Sequence, residues 1–360
     1  MRTRSLLFTM LCSLIWGISF TACSFDDDDN NPIIDPVDYP AYILNEGIWG
    51  SNNANISRFF PAYKGIDSDY YQQVNGKLMG DLANTMMEED DNIYVIVGGS
   101  KYIARLDKMC MEQARYAFPQ SEGEPRCMAI EDGYVYVTQH GGQVSKLNAM
   151  TLELVATFKG GDNLEGIVEK DGKLYVANAW KSIYEYNEEI IVINAGTMTQ
   201  ESSIDVVLNP VQVQEIDDQI YVISQGNYED VQAVLQVIDT KAGTSKVIVY
   251  DVDKITEGHN GLIYGIRSTY DADWNTLNSF FTYNPKKGTT SETSFLQDAP
   301  SSISSTAIYL LEVGGYADFI YVGISDYVTN GTIYQFDASG KLLQSFDSGG
   351  INPNAMIFID

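Results

Sequence analysis

Arrangements of side chains that could carry acid–base or metal chemistry are scarce in this 360-residue chain. His140 and His259 are the only histidines, so a site with three histidine ligands is impossible. No serine-nucleophile, zinc-helix, paired-cysteine or phosphate-loop pattern occurs. Adjacent carboxylates such as Glu188 and Glu189 do occur, but 49 acidic residues make such pairs expected by chance. We therefore expect a non-enzymatic protein with no catalytic residue, no metal site and no cofactor.

One cysteine is placed for covalent attachment of lipid. Residues 1–22 are typical of a secretory signal, because Arg2 and Arg4 precede an apolar run too short to span a bilayer. Thr21 and Ala22 are followed at once by Cys23, which resembles the bacterial lipobox whose cysteine sulfur is diacylated. We predict lipidation at Cys23, and the alternative is an ordinary secreted protein.

Residues 23–38 are predicted to form an acidic, lipid-anchored tether. Four consecutive aspartates, residues 26–29, resemble the surface-export signal of Bacteroidetes lipoproteins. The same run would also serve as a solvated, self-repelling spacer. We expect an outer-membrane lipoprotein that faces the cell exterior and touches the membrane through its anchor only.

The charge of the chain excludes one class of partner. The formal net charge is −27, which repels phosphate backbones and argues against nucleic-acid binding.

Of the four cysteines, Cys110 and Cys127 remain once Cys12 and Cys23 are assigned to the signal and the anchor. Their spacing does not settle whether they form a disulfide.

A repeat predicts the elements that position any binding site. An acidic or glycine turn, followed by alternating aromatic and β-branched residues, recurs through residues 39–360 at an average spacing of about 46 residues. This is the period of four-stranded propeller blades. Seven tyrosines mark its register: Tyr42, Tyr94, Tyr136, Tyr175, Tyr221, Tyr264 and Tyr321.

Each unit is predicted to contain an inner strand A, a tight turn, the tyrosine-bearing strand B, a variable loop, and strands C and D. Residues 352–360 are typical of a strand A, whereas the first unit begins at a strand B in residues 41–45. We therefore predict an all-β, seven-bladed β-propeller closed by pairing of the C-terminal strand with the N-terminal blade.

The blade motifs resemble those of a known family. Residues 136–139 (YVTQ) and 175–178 (YVAN) are similar to the repeats of YVTN-repeat, YncE-like seven-bladed propellers. Residues 44–47 (LNEG) resemble the start of the Bacteroidetes surface-lipoprotein subgroup of BtuG type. The resemblance implies capture of cobalamin or a related corrinoid and its delivery to a TonB-dependent outer-membrane transporter.

The B–C loops, which share one rim with the D–A loops, contain the large aromatic and polar side chains. All three tryptophans that follow Cys23 fall in them. Such a rim suits a large amphipathic ligand, although any single tyrosine could instead fill a gap between blades. The predicted ligand-binding residues are Trp49, Asn52, Tyr102, His140, Trp180, Tyr184, Tyr228, Tyr270, Trp274 and Tyr327.

Three functions are weighed on this basis. Capture of a small amphipathic ligand, with a corrinoid as the first candidate, follows from the lipobox, the acidic run and the aromatic rim. The alternative is a non-enzymatic cell-surface propeller module that binds a glycan or a protein partner. An enzyme, such as a lyase or a quinoprotein-like oxidoreductase, has little support in the residues.

Overall fold

The computed structural model describes residues 40–61, 65–258, 260–315 and 317–359. Cys23, the predicted signal and tether, and His259 lie outside the described residues. The predictions made for them therefore stay predictions.

The described residues form 28 strands and two short helices, α1 (Tyr70–Asn75) and α2 (Ser301–Ser305). The strands, numbered in chain order, are β1 Ala41–Asn45, β2 Asn55–Phe60, β3 Gly65–Asp67, β4 Ala83–Glu89, β5 Asn92–Val97, β6 Tyr102–Asp107, β7 Glu112–Ala117, β8 Pro125–Glu131, β9 Tyr134–Gln139, β10 Gln143–Asn148, β11 Leu154–Lys159, β12 Asn163–Lys170, β13 Lys173–Ser182, β14 Glu185–Asn194, β15 Thr199–Asp205, β16 Pro210–Ile216, β17 Gln219–Ser224, β18 Val234–Asp239, β19 Thr244–Tyr250, β20 Lys254–Glu257, β21 Ile263–Tyr270, β22 Thr276–Asn284, β23 Thr289–Ser291, β24 Ala307–Gly314, β25 Phe319–Ser325, β26 Thr332–Phe336, β27 Leu342–Asp347 and β28 Pro353–Phe358.

These strands form seven antiparallel four-stranded sheets arranged as the blades of a β-propeller. Blade 1 has the strand order β28-β1-β2-β3, and blades 2 to 7 each use four consecutive strands from β4 to β27. The first strand in each blade is strand A and the last is strand D. The predicted fold class and blade number are confirmed.

The repeated tyrosines lie where the sequence register predicts them. All seven are in a strand B and are buried, with at most 7% of the side chain exposed. Tyr136 packs with Leu174 and Val176 of the next blade, and Tyr175 packs with Val213 and Val222 of the blade after that. The core therefore lies between blades, where the apolar faces of twisted sheets meet.

The Asp-Gly turns close the A–B hairpins. Asp132 and Gly133 have φ values of 51° and 77°, and Asp171 and Gly172 have values of 53° and 76°. Two successive positive φ angles are typical of the tight turn that matches the twist of antiparallel strands. These turns all lie on one face, which we call the lower face.

The ring closes through β28. Leu44 of β1 pairs with Ala355, and the amide of Glu46 donates to the carbonyl of Asn352 at 2.9 Å. Met356 of the same strand is 3% exposed and packs in the cluster that contains Ile43. The predicted pairing of the two ends is confirmed, and it covers what would otherwise be an unpaired sheet edge.

The B–C and D–A loops share the opposite, upper face. The amide of His140, in a B–C loop, donates to the carbonyl of Glu124 in a D–A loop at 3.0 Å. Gln225 donates to Asn209 in the same way at 2.8 Å. The upper face is therefore a continuous surface made of loops from neighbouring blades.

Candidate functional site

Five of the seven B–C loops carry a strongly exposed aromatic side chain at the tip. We call this set the aromatic crown: Trp49 (75% exposed), Tyr184 (84%), Tyr228 (70%), Trp274 (82%) and Tyr327 (54%). They belong to blades 1, 4, 5, 6 and 7, which are consecutive around the closed ring. The crown residues therefore follow an arc of five neighbouring blades, and exposed apolar side chains grouped in this way are typical of interaction surfaces.

The backbone beneath the crown is strained. Tyr184, Tyr228, Trp274 and Tyr327 have φ values between 61° and 67°, in the left-handed region. For bulky side chains this conformation costs about 1–2 kcal/mol per residue. Because these rings are mostly exposed, burial does not offset that cost.

Side-chain hydrogen bonds hold the crown loops in shape. Asp271 Oδ1 accepts the amides of Asp273 and Asn275 at 2.9 and 2.8 Å. Asp326 Oδ1 accepts the amides of Val328 and Thr329 at 2.9 and 2.7 Å. Hydrogen bonds from Asn275 to Asp271 and from Thr329 to Asp326 hold the pKa values of both carboxyls below their ordinary value. The loop tips are thus positioned before any ligand arrives, which limits the entropy lost on binding.

Three crown residues contact a second aromatic ring. The ring of Tyr327 lies 5.5 Å from that of Tyr309, and the rings of Tyr228 and Tyr186 are 6.0 Å apart, both edge-on. Trp274 lies 6.2 Å from Tyr270. Within the described residues, Tyr184 and Trp49 have no aromatic ring against them.

Blades 2 and 3 leave a gap in the crown. Their B–C loops are short and contain Gly98-Gly99 and Gly141-Gly142. Gly142 has a φ of 77°, and a Cβ there would meet the carbonyl oxygen of Gly161 at 2.4 Å. A larger residue does not fit, so the rim stays low on this side.

A charged cluster borders the gap on the inner side. Arg126 Nε donates to Glu165 Oε2 at 3.1 Å, and His140 Nε2 lies 2.8 Å from Glu165 Oε1. The His140 ring meets the indole of Trp180 edge-on at 5.4 Å. Burial disfavours the charged form of Glu165, but the His140 hydrogen bond and the Arg126 charge outweigh it and leave its pKa below the ordinary value.

The carboxyl of Glu46 interacts electrostatically with Arg126 of this cluster and with Lys254 of a channel-lining strand A. Burial raises the pKa of its carboxyl, although the charges of Arg126 and Lys254 act in the opposite direction. Asn84 Nδ2 lies 3.4 Å from Glu46 Oε1, which is a long hydrogen bond. Both carboxylates and cations therefore meet at the upper end of the inner strands.

The strands A line a channel at the centre of the ring. A cavity of about 370 Å³ there is bordered by Gln212, Tyr309, Asn354 and Glu312 among others. Glu312 is reached from the cavity but is otherwise enclosed by protein, and this burial raises the pKa of its carboxyl to about 7.

The predicted site residues fall mostly on the upper face. Trp49, Asn52, His140, Tyr184, Tyr228, Trp274 and Tyr327 lie in B–C loops, and Trp180 and Tyr270 lie in the extended ends of β13 and β21 that lead into such loops. Contact of these residues with a ligand stays a prediction.

The placement of Tyr102 in an exposed loop is wrong. Tyr102 is the first residue of β6, is 3% exposed and donates its hydroxyl hydrogen to the carbonyl of Met79. The guanidinium of Arg115 lies 3.6 Å from the centre of its ring. The B–C loop of blade 2 ends one residue earlier than expected, so this tyrosine begins strand C and packs in the core.

Several polar residues of the upper face were not found from the sequence. Arg126 and Glu165 lie near the starts of β8 and β12, Lys254 begins β20, and Glu46 directly follows β1. The sequence offered one signal for Arg126, which directly follows Glu124 and Pro125 and therefore stands at the start of a strand A, at the upper end of the channel. Their partners on other blades could not be read from it.

Neither remaining cysteine is in a disulfide. Cys110 and Cys127 are both free thiols, and burial raises their pKa values to about 12 and about 11. Across residues 40–61, 65–258, 260–315 and 317–359, no three His, Cys, Asp or Glu side chains converge as metal ligands. In the same ranges no helix has the length and hydropathy needed to cross a bilayer.

Comparison with known proteins supports the fold alone. No family model and no curated protein sequence matches the chain. A solved structure of a putative 6-phosphogluconolactonase from Bacteroides uniformis aligns over 89% of this chain and 100% of its own, with a TM-score of 0.63 and 12% identity. Hydrazine synthase of Kuenenia stuttgartiensis aligns over 73% of this chain and 80% of its own, with a TM-score of 0.57 and 15% identity.

Proposed function

We propose that this protein is a non-enzymatic capture module whose aromatic crown binds a large, partly apolar ligand. The observation that carries the proposal is the crown itself. Four bulky rings are held outward and largely exposed on left-handed backbone, as the side chains of an interaction surface are. Rigid aromatic side chains offer large contact area with little loss of conformational entropy on binding.

The first candidate ligand is cobalamin or a related corrinoid. Its support is the resemblance of residues 44–47 and of the blade repeats to the cobalamin-capturing propellers, together with the exposed aromatic side chains of the crown. Lipid on Cys23 and the aspartates after it would hold the propeller outside the outer membrane. There it would pass the ligand to a TonB-dependent transporter.

Equilibrium dialysis of the chain from Ser24 onward against cyanocobalamin tests this proposal. We expect retention at micromolar ligand, and a loss of roughly tenfold or more in affinity for the double variant Tyr184→Ala/Trp274→Ala, because aromatic anchors dominate binding energies. Met150, which is 55% exposed on the lower face, provides the matched control Met150→Ala with unchanged affinity. No retention by the unaltered chain would refute the corrinoid assignment.

A further inference from the structure

A separate cleft opens on the upper face, where loops of blade 7 meet blade 1. Its volume is about 370 Å³, within the range of small-molecule sites. Asn52 reaches it from a B–C loop, and Ser68 and Asp69 reach it from the D–A connection after β3. Gln72 of α1 and the segment 349–351, which leads into β28, complete the walls.

Some residues of this lining form hydrogen bonds within the protein. Asn55 Nδ2 donates to Asp69 Oδ1 at 2.9 Å and to the carbonyl of Gly349 at 3.1 Å. Asn53 Oδ1 accepts the amide of Ile48 at 2.8 Å. These bonds tie the loops of the two blades together and fix the shape of the cleft.

Other polar groups of the lining are unengaged. The side chains of Asn52 and Gln72 and the hydroxyl of Ser68 form no hydrogen bond with any described residue. Asp69 precedes α1 in the left-handed conformation, with a φ of 53°, and its carboxylate does not cap the helix. Its Oδ2 has no partner among the described residues, and Asn52, Ser68, Asp69 and Gln72 are all exposed. Two amides, a hydroxyl and a carboxylate oxygen of the lining are therefore open to solvent and accessible to a ligand.

The chemistry of the lining selects the class of ligand. No Lys, Arg or His of the described residues lines the cleft, which disfavours an anion. Asp69 is the only carboxylate in it, and no metal-ligand cluster occurs in the described ranges, which disfavours a divalent cation. Amides both donate and accept, and a carboxylate oxygen accepts strongly from hydroxyl groups. Leu78, which is 52% exposed at the edge, offers apolar surface.

We propose that this cleft binds a neutral, hydroxyl-rich ring, a pyranose sugar. The hydroxyls of the sugar would donate to Asp69 Oδ2 and exchange hydrogen bonds with the amides of Asn52 and Gln72, and its C–H face would contact Leu78. The site is distinct from the crown, although Asn52 lies in the same loop as Trp49. The inference does not depend on corrinoid capture.

Saturation-transfer NMR tests the assignment, with the methyl pyranosides of glucose, galactose and mannose as probes and the chain from Ser24 onward as the protein. We expect transfer to the ring protons of at least one probe at millimolar concentration. Gln72→Ala and Asp69→Asn should each weaken that binding roughly tenfold, since each removes a hydrogen bond to the ligand. Gln219→Ala, an exposed glutamine on the lower face, is the matched control and should bind as the unaltered chain does.

Two results would overturn the inference: no transfer to any of the three pyranosides, or transfer that neither cleft variant weakens. The outcome is independent of the cyanocobalamin dialysis. A chain that binds a pyranoside but retains no cyanocobalamin would refute the corrinoid assignment and leave the sugar cleft in place.

Discussion

If the crown is reserved for binding, removing one of its rings should not weaken the fold. Tyr184 is the cleanest case, since it is 84% exposed, has a φ of 67° and has no aromatic ring against it among the described residues. Tyr184→Ala removes the ring but keeps the strained backbone, so the free energy of unfolding should change by at most about 0.5 kcal/mol. Tyr184→Gly also relieves the strain.

The expected gain from Tyr184→Gly follows from two opposing terms. Relief of the left-handed conformation contributes about 1–2 kcal/mol, and the extra chain entropy of glycine in the unfolded state removes about 0.5–1 kcal/mol. The net expectation is a stabilisation of roughly 0.5 kcal/mol relative to the alanine variant. The matched control is Tyr136→Ala, because Tyr136 is 3% exposed and its loss should cost about 3–5 kcal/mol.

Urea denaturation followed by far-ultraviolet circular dichroism measures these differences as shifts of the unfolding midpoint. The Ala and Gly variants at residue 184 should unfold at or slightly above the midpoint of the unaltered chain, and Tyr136→Ala well below it. If Tyr184→Gly instead destabilised the protein by more than about 1 kcal/mol, the ring would be supporting the propeller. The crown would then be part of the structural core rather than a surface kept for binding.

Three further outcomes follow from the closure, the channel and the thiols. Met356→Ala should lower the free energy of unfolding by about 2–5 kcal/mol, since the side chain is buried in the closing strand. Leu343→Ala, at an exposed position, should change it by less than about 0.5 kcal/mol, and equal urea midpoints for the two variants would contradict the role of closure. Burial raises the pKa of the Glu312 carboxyl to about 7, so the free energy of unfolding should fall by up to roughly 3 kcal/mol as the pH rises from about 4.5 through about 7 and the buried carboxyl ionises. Glu312→Gln should abolish this loss, and parallel stability–pH curves for the variant and the unaltered chain would speak against it. Cys110, which is buried, should resist a thiol reagent in the native state and react in denaturant, and rapid native labelling of it in a mass spectrum would contradict its burial. Cys127, which is half-buried, should be labelled more slowly in the native state than in denaturant.

The local pattern of the sequence determined the fold class. Tyrosines that alternate with β-branched residues after an acidic or glycine turn predict strands, because strand residues face alternate sides with a period of two. Regular spacing of that pattern predicts blades, and an unpaired strand A in residues 352–360 predicts closure. Each of these depends on neighbours in the chain, and each is confirmed.

The candidate site depended on the tertiary structure. Glu165 meets Arg126 from 39 residues away and His140 from 25 residues away, and these residues belong to adjacent blades. The sugar cleft joins residues near position 52 to residues near position 350, which only closure of the ring brings together. Tyr102 was misplaced because a loop one residue shorter moves a side chain from the rim into the core. Strand patterns are set locally, whereas contacts between blades are set by loop lengths and by the way the ring closes.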